Sequence, residues 1–229
     1  MDYFQNYSHI RNRIDDRARA AGRNPENIRI VAVSKTFPPE ALLAAIDQGI
    51  RLFGESKVQE AKGKIPALSG DFSFHLVGHL QSNKARDAVR LFDLIHSIDK
   101  APTARRVGEE AARIGKMQRI LIQVNTSDED TKSGIDPSGA FELCGEVASI
   151  PGIELMGLMT IGPLGGDERA VRASFALLRE LRDDIARRLG VRLDELSMGM
   201  SGDYLTAVDE GATLVRIGSA IFGERSYGE

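Results

Sequence analysis

Apolar runs of strand length recur along the chain, and helix-patterned segments separate them. After an opening amphipathic helix over about residues 2 to 21 come IRIVAVS, RLFGES, FSFHLVG, LIHSI, RILIQVN, IELMGLMT, ELSMG and LVRIG, which read as eight strands. Between them PPEALLAAIDQG, KVQEAKGKIPAL, NKARDAVRLF, KAPTARRVGEEAARIG, DPSGAFELCGEVASI, DERAVRASFALLRELRDDIARRLG and GDYLTAVDEG carry helical spacing. Strict alternation requires parallel strands with right-handed crossovers, and near-continuous apolar runs suit strands covered on both faces. Eight such units predict a (β/α)8 TIM-type barrel with an extra N-terminal helix. A doubly wound open sheet is the alternative. It calls for fewer strands or a Gly-rich turn after the first strand, and that turn here reads SKTFPP.

Local punctuation supports this segmentation. Pro38 and Pro39 preset the backbone at a helix start, Asp136 stands as an N-cap before Pro137, and Gly49, Gly190 and Gly211 each follow a helical stretch as a stop. With 229 residues, 42% of them hydrophobic, the chain can bury a large core. It reads as one domain over residues 1–229, because no Pro/Gly/Ser-rich linker or low-complexity tract interrupts it.

Charge and cysteine content exclude several classes. The formal net charge is −3, with Lys and Arg scattered among Asp and Glu, so neither nucleic acid nor an anionic membrane has an electrostatic footprint. The N-terminus MDYFQNYSHIRNRIDD lacks a basic segment followed by an apolar run, and a soluble, unexported, cytoplasmic protein is expected. The single cysteine, Cys144, excludes an internal disulfide and reads as a small core residue. His75 and His79 are four apart, but on a strand ending in Gly78 they are not a helical metal pair, and no metal site is expected.

In such a barrel the chemistry belongs at the C-terminal ends of the strands. Those positions are Ser34 and Lys35; Glu55 and Ser56; Gly78, His79 and Gln81; Ser97; Asn125 and Ser127; Met159 and Thr160; Met198 to Ser201; and Arg216 to Ser219. LSMGMSGD delivers Ser201 and Gly202 to a helix start, and LVRIGSAIFG places Gly218 and Ser219 after the eighth strand. Each stretch alone is compatible with an ordinary turn, but loops after strands seven and eight commonly hold a phosphate in barrels. Lys35 at the end of strand one is either a snorkelling side chain or a partly desolvated nucleophile. Arg216 either pairs with a carboxylate such as Asp203 or Glu224, or completes a constellation of lysine, phosphate cradle and ring-nitrogen partner that pyridoxal phosphate would fill. The residues alone leave these readings balanced.

VAVSKTFP, FGESKVQEA, FHLVGHLQSNK, VNTSDEDTKSG, GLMTIGP and LSMGMSGDYLTAVDEGATLVRIGSAIFGER together resemble the YggS/PROSC family of pyridoxal phosphate homeostasis proteins, over about residues 28 to 225. The family is similar in fold to the N-terminal barrel of alanine racemase. The resemblance implies that Lys35 carries pyridoxal 5′-phosphate as a Schiff base, that Ser201, Gly218 and Ser219 hold its phosphate, and that Arg216 faces the pyridine nitrogen. It completes the cofactor-binding set with Met198, Gly202, Ser56 and His79. One departure stands at Ser56, where the family usually carries Asn; serine keeps a hydroxyl but loses the amide.

A donor-only arginine keeps the ring nitrogen unprotonated, so the cofactor becomes a poorer electron sink than one paired with Asp. Racemisation needs bases on both faces of the substrate. Of the tyrosines Tyr3, Tyr7, Tyr204 and Tyr227, Tyr204 is expected to start the last linking helix rather than face a substrate. In alanine racemases the opposing tyrosine comes from a C-terminal β domain, and this chain stops soon after strand eight. The expectation is a non-enzymatic binder that stores or delivers pyridoxal phosphate, with apo pyridoxal phosphate enzymes as recipients. The alternatives are a weak amino-acid racemase, a barrel aldolase acting on a sugar phosphate, and a pure interaction protein. A monomer is expected, with the opening helix covering the barrel bottom or side; a dimer through that helix is the alternative.

Overall fold

The structure is a computed structural model that describes residues 2–127 and 133–223. Strands β1 (Arg29–Val33), β2 (Leu52–Glu55), β3 (Ser73–Leu76), β4 (Leu94–Ile98), β5 (Gln118–Gln123), β6 (Ile153–Met159), β7 (Glu195–Ser197) and β8 (Leu214–Ile217) close into a barrel in chain order. All neighbours are parallel, including the closing pair β1 and β8, where Val31 lies opposite Arg216. Helices α2 (Pro39–Asp47), α3 (Val58–Lys64), α4 (Ala85–Leu91), α5 (Ala101–Arg113), α6 (Ala140–Ala148), α7 (Glu168–Leu189) and α8 (Tyr204–Asp209) make the crossovers. The expected (β/α)8 fold is therefore observed, together with a short α9 (Ser219–Phe222) that the apolar pattern had merged into the loop after strand eight.

The predicted punctuation has physical counterparts. Asp136 accepts from the Ser138 amide, and Gly190 closes α7 in the left-handed conformation at φ 66°. The opening helix α1 (Tyr3–Ala20) buries Ile10, Ile14 and Ala18. It lies along the barrel side, where Asn6 Nδ2 donates to the Ile221 carbonyl at 2.9 Å and Arg13 stacks over Tyr204. Among the described residues no helix is long and apolar enough to cross a membrane.

Two-residue alternation along each strand sorts the side chains into two cores. Val31, Leu94, Leu121, Met159 and Leu214 fill the lumen, whereas residues one step away, such as Ala32, Ile95, Ile120, Leu158 and Val215, pack outward against the helices. Cys144 is buried in that outer layer, as its helical spacing predicts. Each fully buried Leu, Ile or Phe contributes about 2 kcal/mol, so the long outer cluster dominates stability.

At β6 the register slips between Ile120 and Leu121 of its partner β5, and Gly157 sits where β6 then presses on β7. A Cβ there would meet the Glu195 carbonyl oxygen at 1.9 Å. Because that neighbour is backbone, it cannot swing aside. Gly157→Ala is expected to lose about 3 kcal/mol or more in a urea or guanidinium unfolding curve.

Candidate functional site

The strand alternation that fills the lumen also builds a cavity at its C-terminal mouth. Continuing inward from Val31 and Val33 comes Lys35; from Gly54, Ser56; and from Leu214 and Arg216, Gly218. These residues, with Phe37, Val77, Gly78, Ile161, Met200, Ser201, Gly202, Ser219 and Gly223, line a cavity of about 520 Å³. A groove of about 710 Å³ at the opposite end of the barrel is lined by Arg11, Arg29 and Arg51, but those arginines are already bonded to Asp15, Glu195 and the Ile46 carbonyl.

Of the expected cofactor residues, the structure brings together Lys35, Ser56, Ser201, Gly202, Arg216, Gly218 and Ser219. Two are not brought there. Met198 follows the inward Ser197 and so points outward, fully buried in the helix-facing core; its neighbour Met200 lines the cavity instead. His79 follows Gly78 as the chain leaves the barrel, and its half-exposed ring turns to Asp99, with Nδ1 3.6 Å from Oδ2. Tyr204 begins α8 and is buried against α1, away from the cavity lining. Glu224, Tyr227 and residues 128–132 of the DEDT stretch lie outside the described residues.

The two Gly/Ser loops form one wall. Gly199, at φ 89°, makes the turn in which Met200 N donates to Asp203 Oδ1 at 2.5 Å. A Cβ on Gly199 would lie 2.5 Å from that of Ala207, whereas one on Gly202 would meet nothing within 4 Å. Among the described residues, the backbone N–H groups of Ser201, Gly202 and Gly218 have no hydrogen-bond acceptor. Three such amides on a cavity wall, with two serine hydroxyls beside them, suit a phosphate group. Since α8 and α9 are only six and four residues long, these amides rather than a helix dipole carry the attraction.

Arg216 forms the floor. It is 5% exposed and does not pair with Asp203, one of the two expected carboxylates: one guanidinium nitrogen donates to Ser197 Oγ at 2.7 Å and the other to the Thr160 carbonyl at 2.8 Å. Burial lowers its pKa to about 10, with Asp203 opposing, which leaves it charged at neutral pH. Behind it runs a polar column through the lumen. His96 Nδ1 lies 2.8 Å from Ser197 Oγ, and His96 Nε2 lies 3.0 Å from His75 Nδ1.

The donor-only arginine orders the protons of this column. Ser197 Oγ accepts from Arg216, and its single hydrogen has His96 Nδ1 as acceptor; reversing the chain would strand that hydroxyl hydrogen in a fully buried site. His96 therefore carries its proton on Nε2 and donates it to His75 Nδ1. Both rings are held neutral: burial pushes His75 down to about 3, reinforced by Arg29, and pushes His96 well below its ordinary value, reinforced by His75 and Arg216.

This closed parallel barrel, with Lys35 at the end of its first strand and Gly/Ser loops after its last two, is of the alanine racemase N-terminal type. The model of that family, "Alanine racemase, N-terminal domain", matches residues 5–226. The pyridoxal phosphate homeostasis protein of Aquifex aeolicus is 39% identical over 99% of this chain and 100% of its own. That of Vibrio cholerae is 42% identical over 97% and 96%. The solved structure of PipY from Synechococcus elongatus with pyridoxal phosphate (PLP) bound superposes with a TM-score of 0.82 at 38% identity, covering 92% of this chain and 100% of that one. The chain belongs to the pyridoxal phosphate homeostasis protein family.

The neutral histidines set a pH dependence. In the unfolded chain each has a pKa near ~6.5, so between that value and about 3 for His75 the unfolded state binds more protons, and stability falls as pH falls. Urea curves taken between pH 7 and 4 should lose up to about 1.4 kcal/mol per pH unit for each histidine below pH 6. His75→Gln is expected to be less stable at pH 7 and to show a shallower slope; an unchanged slope rules out the neutral column.

Proposed function

We propose that this protein binds pyridoxal 5′-phosphate through a covalent link to Lys35 and holds it for intracellular vitamin B6 homeostasis, releasing it to apo enzymes, without itself turning over amino acids. The observation that carries this reading is the conjunction in one cavity of Lys35, three acceptor-free amides at Ser201, Gly202 and Gly218, and a buried, charged Arg216. The kinship with PLP-bound PipY supports it.

Each residue has a definable task. Lys35 would hold the group through its amine, by a condensation with the aldehyde that would release one water and would be reversible by water or by another amine. Ser201, Gly202, Gly218 and Ser219 would donate to the phosphate, and Ser56 and Ile161 would bound the ring. Bound pyridoxal phosphate supplies an electron sink whose strength depends on protonation of its ring nitrogen. Arg216 offers that nitrogen a donor and no proton acceptor, since its guanidinium stays charged at neutral pH. Carbanion chemistry is thereby restrained while binding is not. Cytoplasmic location and a monomeric state complete the proposal.

Purified protein incubated with pyridoxal phosphate should develop an absorption band that Lys35→Ala lacks. Borohydride reduction and peptide mass mapping should then place the pyridoxyl group on Lys35. Lys35→Ala is expected to weaken binding at least about tenfold without abolishing it, because the phosphate and ring contacts remain. Sustained racemisation or loss of an amino acid by the loaded protein would favour the weak-enzyme alternative. Failure to load at all would return Lys35 to the sugar-phosphate aldolase alternative.

A further inference from the structure

Lys35 rides on a strained turn. Phe37 N donates to the Ser34 carbonyl at 3.1 Å, closing residues 34 to 37, and Thr36 at the third position has φ 73°. A left-handed third position is one that turns normally fill with Gly or Asn, and a β-branched residue there is an outlier that its surroundings must hold in place.

What holds it lies on the outer side of the barrel wall, opposite the cavity. Lys64, the last residue of α3, is 6% exposed and directs its ammonium at three acceptors: the Ser34 carbonyl at 3.0 Å, Glu55 Oε1 at 3.0 Å and Glu60 Oε1 at 2.5 Å. Three N–H donors meet three acceptors, so the ammonium is fully engaged. Glu60 Oε1 also accepts the Thr36 amide at 2.5 Å, and Glu55, fully buried, accepts from Ser34 Oγ at 2.8 Å. The C=O before Lys35 and the N–H after it are thus fastened by one ion cluster. Burial drives the Glu55 carboxyl upward, with Lys64 opposing, and its Oε2 has no hydrogen-bond partner among the described residues, so the cluster is poorly suited to stability alone.

We infer that Lys64 and Glu60, braced by Glu55, are positioning residues for Lys35: they hold the Ser34–Phe37 turn in its left-handed form and so aim the Lys35 amine into the cavity. This rests on the proposed attachment of pyridoxal phosphate at Lys35. None of the three belongs to the cavity lining, so their effect passes through the turn.

The test uses Lys64→Met and, because that change strands Glu55 and risks misfolding, the half-exposed Glu60→Ala as well. Two signals are read. In the protein without added cofactor, amide hydrogen exchange at Thr36 and Phe37 should quicken about tenfold or more in both variants while the barrel strands stay protected. With pyridoxal phosphate added, the apparent affinity from the absorption titration should fall about tenfold or more. The fraction of borohydride-fixed label on Lys35 should also drop in favour of surface lysines. Adding Thr36→Gly to Glu60→Ala should restore much of the Lys35 labelling, because glycine adopts the turn without the clamp. A purely stabilising cluster would show no such rescue. Unchanged Thr36 exchange, or wild-type labelling of Lys35 in Glu60→Ala, overturns the inference. Wild-type protein that takes no label on Lys35 overturns the cofactor reading instead, and the exchange data still decide whether the clamp holds the turn.

Discussion

A charged guanidinium buried in the lumen of a β-barrel is the constraint around which this site is organised. Removing Arg216 from water costs several kcal/mol, and the usual compensation is a carboxylate. Among the described residues the compensation is distributed over neutral acceptors, Ser197 Oγ and the Thr160 carbonyl, with two histidines lined up behind the serine. That choice has a cost, since three buried polar side chains must share one proton order, and it has a consequence at the cavity. A carboxylate partner would cancel the field of the arginine, whereas neutral acceptors leave its charge facing the mouth, where it attracts anions and electron-rich ring atoms.

The same alternation that places Arg216 inside decides nearly everything else about the site. Steps of two carry Val31 to Val33 to Lys35, and Leu214 to Arg216 to Gly218, from lumen to cavity wall. The intervening residues serve the outer layer: Ser34 and Glu55 meet α3, and Met198 joins the apolar core. Because β1 and β2 deliver Lys35 and Ser56 to the cavity and the neighbouring Ser34 and Glu55 to the helices, a site on one face of the wall can be braced from the other.

Much of this is legible in the sequence because it is local. Strand-length apolar runs and helical spacing announce eight βα units, Gly and Pro mark their ends, and the lysine, serines and glycines of the mouth fall at strand ends where chemistry is expected. Met198 was misplaced for want of strand register: β7 is only three residues long, and nothing local says that Ser197 rather than Met198 faces in. The histidine column was invisible for a different reason. His75, His96 and Ser197 come from three strands and meet only when the barrel closes, and a lone histidine in an apolar run carries no mark of its partner. Lys64 reads from sequence as a basic residue in the last turn of a helix, a common surface feature. Its burial follows from the packing of α3 against β2, which places Glu55 beneath it.

The two walls around Lys35 divide the work that the proposed cofactor role requires. On the outer side an ion cluster fastens backbone whether or not a ligand is present; on the inner side Arg216 presents its charge and the Gly/Ser loops present amides that no acceptor among the described residues has claimed. A rigid lysine lowers the entropy lost on attachment, and spare donors add attraction only when an anion arrives. Arg216, charged at neutral pH, offers the cavity a donor and cannot accept a proton there. Bracing of the lysine and donor supply at the cavity therefore come from separate residues and are separately adjustable.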